Sequence, residues 1–263
     1  MDRFGGIERL YGKQAAQRFR NAHVCIVGIG GVGSWVVEAL ARSGIGHITM
    51  IDLDEICLSN INRQLHAMDG EIGRQKTAAM AERVAAINPA CEITCLESFF
   101  TARNADEILD TSFDYVIDAI DRVKEKCLLI AGCRQRDIPI ITCGAAGGRR
   151  DPSQIRIDDL SRSYNDALLN QTRKDLRSDH GFHAGADPKL KIKARKFGID
   201  AIFSPETSVF PQCDGEVSEK RPAETTGADT RLNCASGFGS ITHITATFGF
   251  FAVSRCLERL ARD

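Results

Sequence analysis

The segment HVCIVGIGGVGSW, residues 23–35, combines an apolar β-like run with a cluster of glycines, Gly28, Gly30, Gly31 and Gly33. Three of these glycines match the spacing GxGxxG, which joins a strand to a helix and lets backbone N–H groups approach a phosphate. The segment therefore predicts a phosphate-binding loop at the start of a βαβ unit. It leaves open whether the loop holds NAD for hydride transfer or ATP for activating a carboxylate.

Short apolar runs alternate with helical patterns through the rest of the first half. The predicted strands are HVCIVG, HITMID, CEITCLE, DYVIDAI and IPIITCG, and the predicted helices lie around Val32–Arg42, Gln75–Ile87, Ala105–Leu109 and Val123–Arg136. This succession predicts an α/β fold, a Rossmann-like, doubly wound and mainly parallel sheet. Ligands of such sheets bind at the carboxyl ends of the strands.

The second half does not continue the regular alternation of predicted strands and helices. QIRIDDL and IDAIFSPE are typical of strands, and Asp166–Arg177 is typical of a helix. An apolar helix is predicted from about Ser240 to Leu260, where His243 and several hydroxyl residues favour a buried helix over a membrane span. We expect a carboxyl-terminal extension to the sheet, a final buried helix and a single domain over 1–263. Within it, 1–150 forms the nucleotide-binding core and 151–263 a substrate-side extension.

The composition is that of an ordinary globular protein, with 263 residues, 43% hydrophobic and 26% charged, and a formal net charge of −1. Disordered, coiled-coil and collagen-like classes are excluded on these values. A net charge near zero does not exclude a nucleic-acid partner, since local clustering matters more. The first residues contain no apolar segment typical of a secretory signal, so we expect a cytoplasmic protein without a membrane span.

The chain contains ten cysteines, and no two of them form a CxxC pair. Most lie within apolar runs, where cysteine behaves as a small hydrophobic residue. We therefore expect neither structural zinc nor a disulfide framework.

Polar residues after the second predicted strand favour ATP over NAD. Asp52, about twenty residues beyond the glycine loop, suits ribose hydroxyls with either ligand. The segment SNINRQ that follows contains Asn60, Arg63 and neighbouring amides, and Lys76 begins the next helix. An arginine and a lysine beside a phosphate loop would neutralise a triphosphate, whose charge exceeds that of a pyrophosphate diester.

Two carboxylates end the fourth predicted strand, Asp118 and Asp121. A carboxylate at this edge of the sheet, facing phosphates, is where a Mg²⁺ ligand would lie. Position alone leaves open which of the two is the ligand, since Asp118 could instead cap the strand end. Hydride transfer requires none of these groups, so a polyphosphate with a metal is the better interpretation.

Together these motifs carry a resemblance to a known family. GIGGVGSW, DLDEICLSNINRQ, Lys76 and DAIDRVKEK resemble the ubiquitin-activating-like adenylating enzymes, the ThiF/MoeB/HesA group. The shared reaction of that family is ATP-dependent adenylation of a carboxylate with release of pyrophosphate. The resemblance therefore implies ATP and Mg²⁺ as cofactors.

The resemblance also implies roles for individual residues. Asp52 would hold the ribose hydroxyls, Asn60 and Arg63 the phosphates, and Lys76 the region of the α-phosphate. Asp121 would hold Mg²⁺. The catalytic set implied in this way is Arg63, Lys76 and Asp121, above the glycine loop.

Four longer segments, three of them in the second half, narrow the resemblance to one branch. QRFRNAHVCIVGIGGVGSWVVEALARSGIG, FSPE, VFPQCDG and RLNCASGFGSITHITATFGF are similar to the branch that dehydrates threonylcarbamoyladenosine beside the anticodon of tRNA. This implies adenylation of the threonyl carboxylate followed by intramolecular ring closure, which high effective concentration favours. Three alternatives stay open: an activator of a ubiquitin-like sulfur carrier, an NAD-dependent oxidoreductase, and a partner of a cysteine desulfurase or sulfur-acceptor system. The absent cysteine pairs argue against the first.

An N-terminal arginine extends the implied site to a second subunit. Many members of the family use an arginine near the N-terminus to reach the ATP of the partner subunit. RFGGIERLYG offers Arg3 and Arg9, and we favour Arg9, which would imply a homodimer.

Two further features have competing interpretations. Cys234 could act as a nucleophile, with Cys213 a similar candidate, but a small residue packed beside a glycine-rich loop is the commoner case. Between Arg173 and Lys196 lie eight lysines and arginines against three aspartates. This run is either a solvated surface or a tRNA contact to which Arg149 and Arg150 would add. Its candidate contacts are Arg173, Lys174, Arg177, Lys189, Lys191, Lys193, Arg195 and Lys196.

Overall fold

A seven-stranded sheet organises the chain in the computed structural model, which describes residues 3–185, 195–212, 214–220 and 238–262. The strand order is β3-β2-β1-β4-β5-β7-β6, with every neighbouring pair parallel except β6 and β7. The strands are β1 (His23–Val27), β2 (His47–Ile51), β3 (Glu92–Leu96), β4 (Tyr115–Asp118), β5 (Ile140–Cys143), β6 (Arg156–Asp159) and β7 (Asp200–Phe203). The Rossmann-like prediction is confirmed, and β7 and β6 are the predicted extension of the sheet.

Helices cover both faces of this sheet. They are α1 (Gly5–Tyr11), α2 (Lys13–Asn21), α3 (Gly33–Arg42), α4 (Lys76–Ile87), α5 (Ala105–Leu109), α6 (Val123–Gln135), α7 (Ala167–Asp179) and α8 (Thr242–Arg262). Side chains of β1 alternate between the two layers, since Val24 and Ile26 pack with α2, α3 and α8, whereas Cys25 and Val27 pack with α5 and α6. Both faces are buried, which explains why the strands are apolar without a polar alternation.

The observed elements lie close to the predicted ones, with two differences. The strand and helix predictions agree to within a few residues, but nothing in the sequence patterns predicted α1 and α2. A two-stranded hairpin, β8 (Phe210–Pro211) with β9 (Val217–Ser218), was also missed. The division of the chain at residue 150 into core and extension stays a prediction.

The final helix, α8, is buried against α3, as predicted. A Cβ on Gly249 would come within 3.0 Å of the Val32 carbonyl oxygen, so a glycine allows the two helices to approach closely. Among the residues that the structure describes, no helix is both long and apolar enough to span a membrane.

Two histidines stack at the amino-terminal ends of β1 and β2. The rings of His23 and His47 are 3.4 Å apart and nearly parallel, and Nε2 of His23 lies 2.8 Å from the Thr49 hydroxyl. Burial, together with the neighbouring His47, lowers the pKa of His23 to about 4. His23 is therefore neutral in the folded protein at neutral pH.

This neutral histidine makes stability depend on pH. The unfolded chain takes up a proton near the ordinary histidine pKa of about 6.5, while folded His23 does so near 4, so we expect the free energy of unfolding to fall as pH drops through that window. Urea unfolding at pH 7 and pH 5 checks this. His23→Gln, which cannot titrate, should lose less stability between the two pH values than the natural chain; equal losses would assign the effect to other groups.

Candidate active site

The glycine loop after β1 has a backbone that only glycine fits. Gly28 has φ +92°, and a Cβ there would lie 2.9 Å from the Ala119 carbonyl oxygen. A Cβ on Gly33 would lie 1.8 Å from the Gly28 carbonyl oxygen. The loop thus turns tightly into the N-terminus of α3 and passes directly beside the end of β4, as a phosphate-binding loop requires.

Two buried side chains hold the Ile29 residue of this loop from opposite ends. Its N–H donates to Oδ2 of Asp52 over 2.6 Å, and its carbonyl oxygen accepts from Nε2 of His66 over 3.0 Å. Burial lowers the pKa of His66 to about 4, so the ring is neutral and the proton resides on Nε2. The sequence patterns did not single out His66, since its spacing from the loop matches no motif.

Asp52 lies at the end of β2 beside the loop, where the predicted ribose acid should be. It is 8% exposed, and burial raises the pKa of its carboxyl group, while the charge of Lys76 opposes that effect. Each carboxylate oxygen accepts one backbone N–H, from Ile29 and from Asp54. Each oxygen keeps a second lone pair, so Asp52 can both anchor the loop and accept from a hydroxyl.

Lys76 is the first residue of α4 and is only 5% exposed. Its Nζ lies 2.8 Å from Oδ2 of Asp54, whose side chain is 54% exposed. A buried ammonium normally requires a partner, and here the partner stands at the solvent boundary. The ammonium can therefore exchange a carboxylate oxygen for a phosphate oxygen without leaving its place.

Asn60 and Arg63 follow in a short 3₁₀ helix and the turn after it. Oδ1 of buried Asn60 accepts the Cys57 N–H over 3.1 Å, so this amide shapes its own turn. Nη1 of Arg63 donates to the Ser59 carbonyl over 2.6 Å. A Cβ on Gly31 would come within 3.4 Å of the Arg63 Cγ, which places this arginine directly against the glycine loop.

Asp118 and Asp121 have different environments at the end of β4. Asp118 is fully buried, with Oδ2 2.8 Å from Nζ of Lys126 and accepting from the Thr142 hydroxyl over 2.6 Å. Asp121 is exposed and makes no hydrogen bond or ion pair with any residue that the structure describes. Asp118 therefore joins β4, β5 and α6, whereas Asp121 is free to meet a ligand.

The side chains near the glycine loop suit Mg²⁺ better than a metal ion whose ligands all come from the protein. Within the described ranges, no three His, Cys, Asp or Glu residues are grouped to hold a metal ion. Mg²⁺ is commonly bound through one or two carboxylates together with substrate phosphates. A single free carboxylate beside a phosphate loop fits that pattern.

The two N-terminal arginines considered above have different environments. Arg9 is exposed on α1, and a Cβ on Gly44 would meet the ring of Phe4, so α1 lies at the amino-terminal edge of the sheet. Arg3 donates to the Ala86 and Ile87 carbonyls at the end of α4. The structure thus occupies Arg3 within its own chain and leaves Arg9 exposed.

The basic residues between Arg173 and Lys196 fall into two groups in the structure, those with partners in the chain and those exposed to solvent. Arg173 donates to Ser163 and Asn170, and Arg177 donates to the His183 carbonyl and lies over the ring of Phe197. Three residues of the run are exposed, namely Lys174, Arg195 and Lys196. Lys189, Lys191 and Lys193 lie outside the described residues.

Arg149 was wrongly included in this surface. Its side chain is 3% exposed and donates to the Asn165 carbonyl, with Asp166 and Glu206 nearby. Burial lowers the pKa of its guanidinium, which nonetheless stays charged. Arg149 therefore joins the loop after β5 to the start of α7 and cannot contact a phosphate at the surface.

The two cysteines considered as nucleophiles, Cys234 and Cys213, lie outside the described residues. Among the cysteines that are described, burial raises the pKa of Cys127, Cys133 and Cys143 to about 12. Those three thiols are protonated at neutral pH and unreactive.

His66→Ala is expected to weaken nucleotide binding, because it leaves the Ile29 carbonyl without its donor. A lost buried hydrogen bond of this kind costs about 1–3 kcal/mol, so we expect KM for ATP to rise roughly tenfold. His66→Gln, whose amide N–H can replace Nε2–H, should retain most of the affinity. Titration of a fluorescent ATP analogue measures both variants, and wild-type affinity in His66→Ala would contradict the role.

Comparison with known proteins gives four consistent findings. The ThiF family matches residues 6–261. The chain is 52% identical to the tRNA threonylcarbamoyladenosine dehydratase of Haemophilus influenzae, over 99% of this chain and 94% of that protein. It is 48% identical to the Escherichia coli enzyme of that name, over 98% of this chain and 93% of the other. A crystal structure of the Escherichia coli tRNA N6-threonylcarbamoyladenosine dehydratase in complex with ATP superposes with a TM-score of 0.84, at 44% identity, covering 98% of this chain and 93% of the other.

Proposed function

The chain belongs to the ThiF family, and from that premise we propose that it dehydrates threonylcarbamoyladenosine in tRNA at the expense of ATP. The observation that carries the proposal is the 52% identity to a dehydratase of that name over 99% of the chain. The likeness includes the second half, where the substrate rather than the nucleotide should be recognised.

The glycine loop and its surroundings support ATP as the nucleotide. The glycine loop leads directly into the N-terminus of α3, whose backbone N–H groups would bind phosphates. Asp52, hydrogen-bonded to the loop at Ile29, would accept from the ribose hydroxyls. Lys76 and Arg63 supply two positive charges beside the loop. Charge developing on the phosphates would be stabilised by groups that are already in place.

Asp121 is the residue that would hold Mg²⁺, because it is the free carboxylate at the end of β4. When bound, Mg²⁺ neutralises phosphate charge and helps the pyrophosphate to leave. Asn60 would contact the phosphates through its Nδ2–H donors, since its side-chain oxygen already accepts the Cys57 N–H.

The proposed reaction has two steps, adenylation and ring closure. A threonyl carboxylate oxygen attacks the α-phosphorus of ATP, and pyrophosphate leaves. A nucleophilic atom of the same modification then attacks the activated carbonyl and displaces AMP, so the nucleoside loses one water overall. The second step is intramolecular, and this geometry replaces the need for a protein nucleophile.

A homodimer would complete the site with Arg9. Arg9 is exposed on α1, so it would be accessible to the glycine loop of a second copy. Large apolar side chains are also exposed near the glycine loop and on α1 and α8, namely Leu10, Leu58, Ile61 and Phe250. Apolar exposure of this kind is typical of a surface that another chain covers.

Nucleoside mass spectrometry tests the function. Incubation of threonylcarbamoyladenosine-containing tRNA with the protein, ATP and Mg²⁺ should lower the mass of the modified nucleoside by one water and release one pyrophosphate per event. tRNA lacking the modification is the control and should release none. Pyrophosphate exchange that depends instead on a small carrier protein ending in Gly-Gly would identify a sulfur-carrier activator.

A further inference from the structure

A cavity of about 310 Å³ lies at the amino-terminal edge of the sheet, on the side opposite the glycine loop. It is bounded by the first residues of β4, β5 and β7 and by the ends of α6 and α8. Its volume is at the lower end of the range for small-ligand pockets, roughly 300–1,000 Å³. The residues already assigned to nucleotide binding do not line it.

Arginines dominate the charge of this cavity. Arg134, Arg255, Arg259 and Arg262 line it, against Asp137, Asp200 and Glu258. Arg255 lies 3.5 Å from Asp200 and 3.4 Å from Glu258, so one arginine offsets part of the charge of both carboxylates. Four arginines and three carboxylates are the charged groups among the described residues that line the cavity, and Arg134, Arg259 and Arg262 are exposed to solvent around it.

A tyrosine hydroxyl in the same cavity has no hydrogen-bond partner among the described residues. Tyr115 is 2% exposed, lines the cavity, and makes no hydrogen bond with any residue within the described ranges. Asp200, Arg255 and Arg259 are among the ionisable groups close enough to influence it. Its hydroxyl is therefore available to donate a hydrogen bond to a ligand in the cavity.

The helix dipole explains only part of this arrangement. Arg259 and Arg262 occupy the last turn of α8, where cations offset the negative end of the dipole. Arg134, however, comes from α6, and its guanidinium lies 4.2 Å from the centre of the Phe182 ring. The dipole of α8 therefore explains neither the presence of Arg134, which belongs to α6, nor that of the Tyr115 hydroxyl, which belongs to β4.

We propose that this cavity binds a phosphate group, with Arg134 and Arg262 supplying charge and Tyr115 donating a hydrogen bond. Guanidinium groups pair well with phosphate oxygens, and a tetrahedral phosphate accepts donors from several directions at once. The phosphate has two sources: free phosphate or pyrophosphate, or the backbone of an RNA. The RNA source rests on the proposed function, whereas the free anion does not.

Phosphate titration followed by NMR of the arginine side-chain N–H signals tests the site. The protein is first saturated with a non-hydrolysable ATP analogue, so that the glycine loop is occupied. Inorganic phosphate should then shift the signals of cavity arginines in a saturable way. Tyr115→Phe and Arg262→Gln should each weaken this binding roughly tenfold, because each removes one charge-assisted hydrogen bond. The matched control is Arg103→Gln. Arg103 is an exposed arginine just before α5, and its side chain has no partner among the described residues.

Filter binding of tRNA at several salt concentrations separates the two sources. If the cavity takes an RNA phosphate, Arg262→Gln should lower the slope of log K against log salt by about 0.7–0.9. An unchanged slope together with lost phosphate binding assigns the site to the free anion. Phosphate affinity that is the same in the natural chain, Tyr115→Phe and Arg262→Gln overturns the proposal. Dehydration of tRNA by the natural chain is measured separately, so failure of the proposed function would be recognised on its own.

Discussion

Asp121→Asn is expected to lower the rate of tRNA-dependent pyrophosphate release by at least about 100-fold. The variant keeps the shape of the side chain and removes the charge that would hold Mg²⁺ against the phosphates, and such stabilisation is worth several kcal/mol. Asp121 is exposed and makes no interaction with the described residues, so the fold should be unaffected. Pyrophosphate release at saturating ATP, measured over a range of Mg²⁺ concentrations, is the appropriate assay.

The control for this variant is Asp69→Asn, which removes another exposed carboxylate without a side-chain partner in the described chain. It should turn over like the natural chain. An Asp121→Asn enzyme with normal turnover and normal Mg²⁺ dependence would show that the metal is held elsewhere. Loss of activity with a lowered melting temperature would instead point to a structural role.

Lys126→Met is expected to lower the free energy of unfolding by about 3–5 kcal/mol, because it leaves a buried carboxylate unpaired. Lys126 and Asp118 are both fully buried, with Nζ and Oδ2 2.8 Å apart. Nζ also donates to the Thr142 hydroxyl and to the Cys143 carbonyl, so the lysine joins α6 to β4 and β5. Urea unfolding monitored by circular dichroism measures the change.

Two further variants isolate the cause. Lys124→Met removes an exposed lysine of the same helix and should change stability by less than about 0.5 kcal/mol. The double variant Asp118→Val with Lys126→Met removes both charges and should recover part of the loss, since the unpaired carboxylate is gone. A double variant less stable than Lys126→Met would show that packing, rather than charge, dominates at this position.

The two aspartates illustrate how far the sequence patterns could go. Their position after an apolar strand predicted carboxylates at the carboxyl edge of the sheet, and the resemblance favoured Asp121. The preference has a physical reason in the structure, because Lys126 reaches Asp118 from the second turn of α6 and leaves Asp121 in solvent. Lys126 resembled any other helical lysine in the sequence, and a pairing partner across two elements has no local signal.

Arg149 and His66 show the opposite limit. Arg149 follows a strand and precedes another arginine, so it was assigned to a surface, yet contacts with Asn165, sixteen residues away in the chain, keep it buried. His66 lies in a polar crossover without a motif, yet it holds the Ile29 carbonyl of the glycine loop across 37 residues. Both assignments depend on distances between segments, which periodicity cannot supply.

Local chemistry in the chain was sufficient for the parallel α/β sheet, the glycine loop after β1 and the family of the protein. These features rest on short-range rules, such as the steric need for glycine at Gly28 and Gly33 and the alternation of apolar strands with helices. Three other features exist only in the folded chain. They are the hydrogen bond that holds Ile29, the buried pair of Asp118 and Lys126, and the cavity lined by Tyr115 and several arginines. Each joins residues that are distant in sequence, and their chemistry is set by burial and by partners that exist only after the segments have packed together.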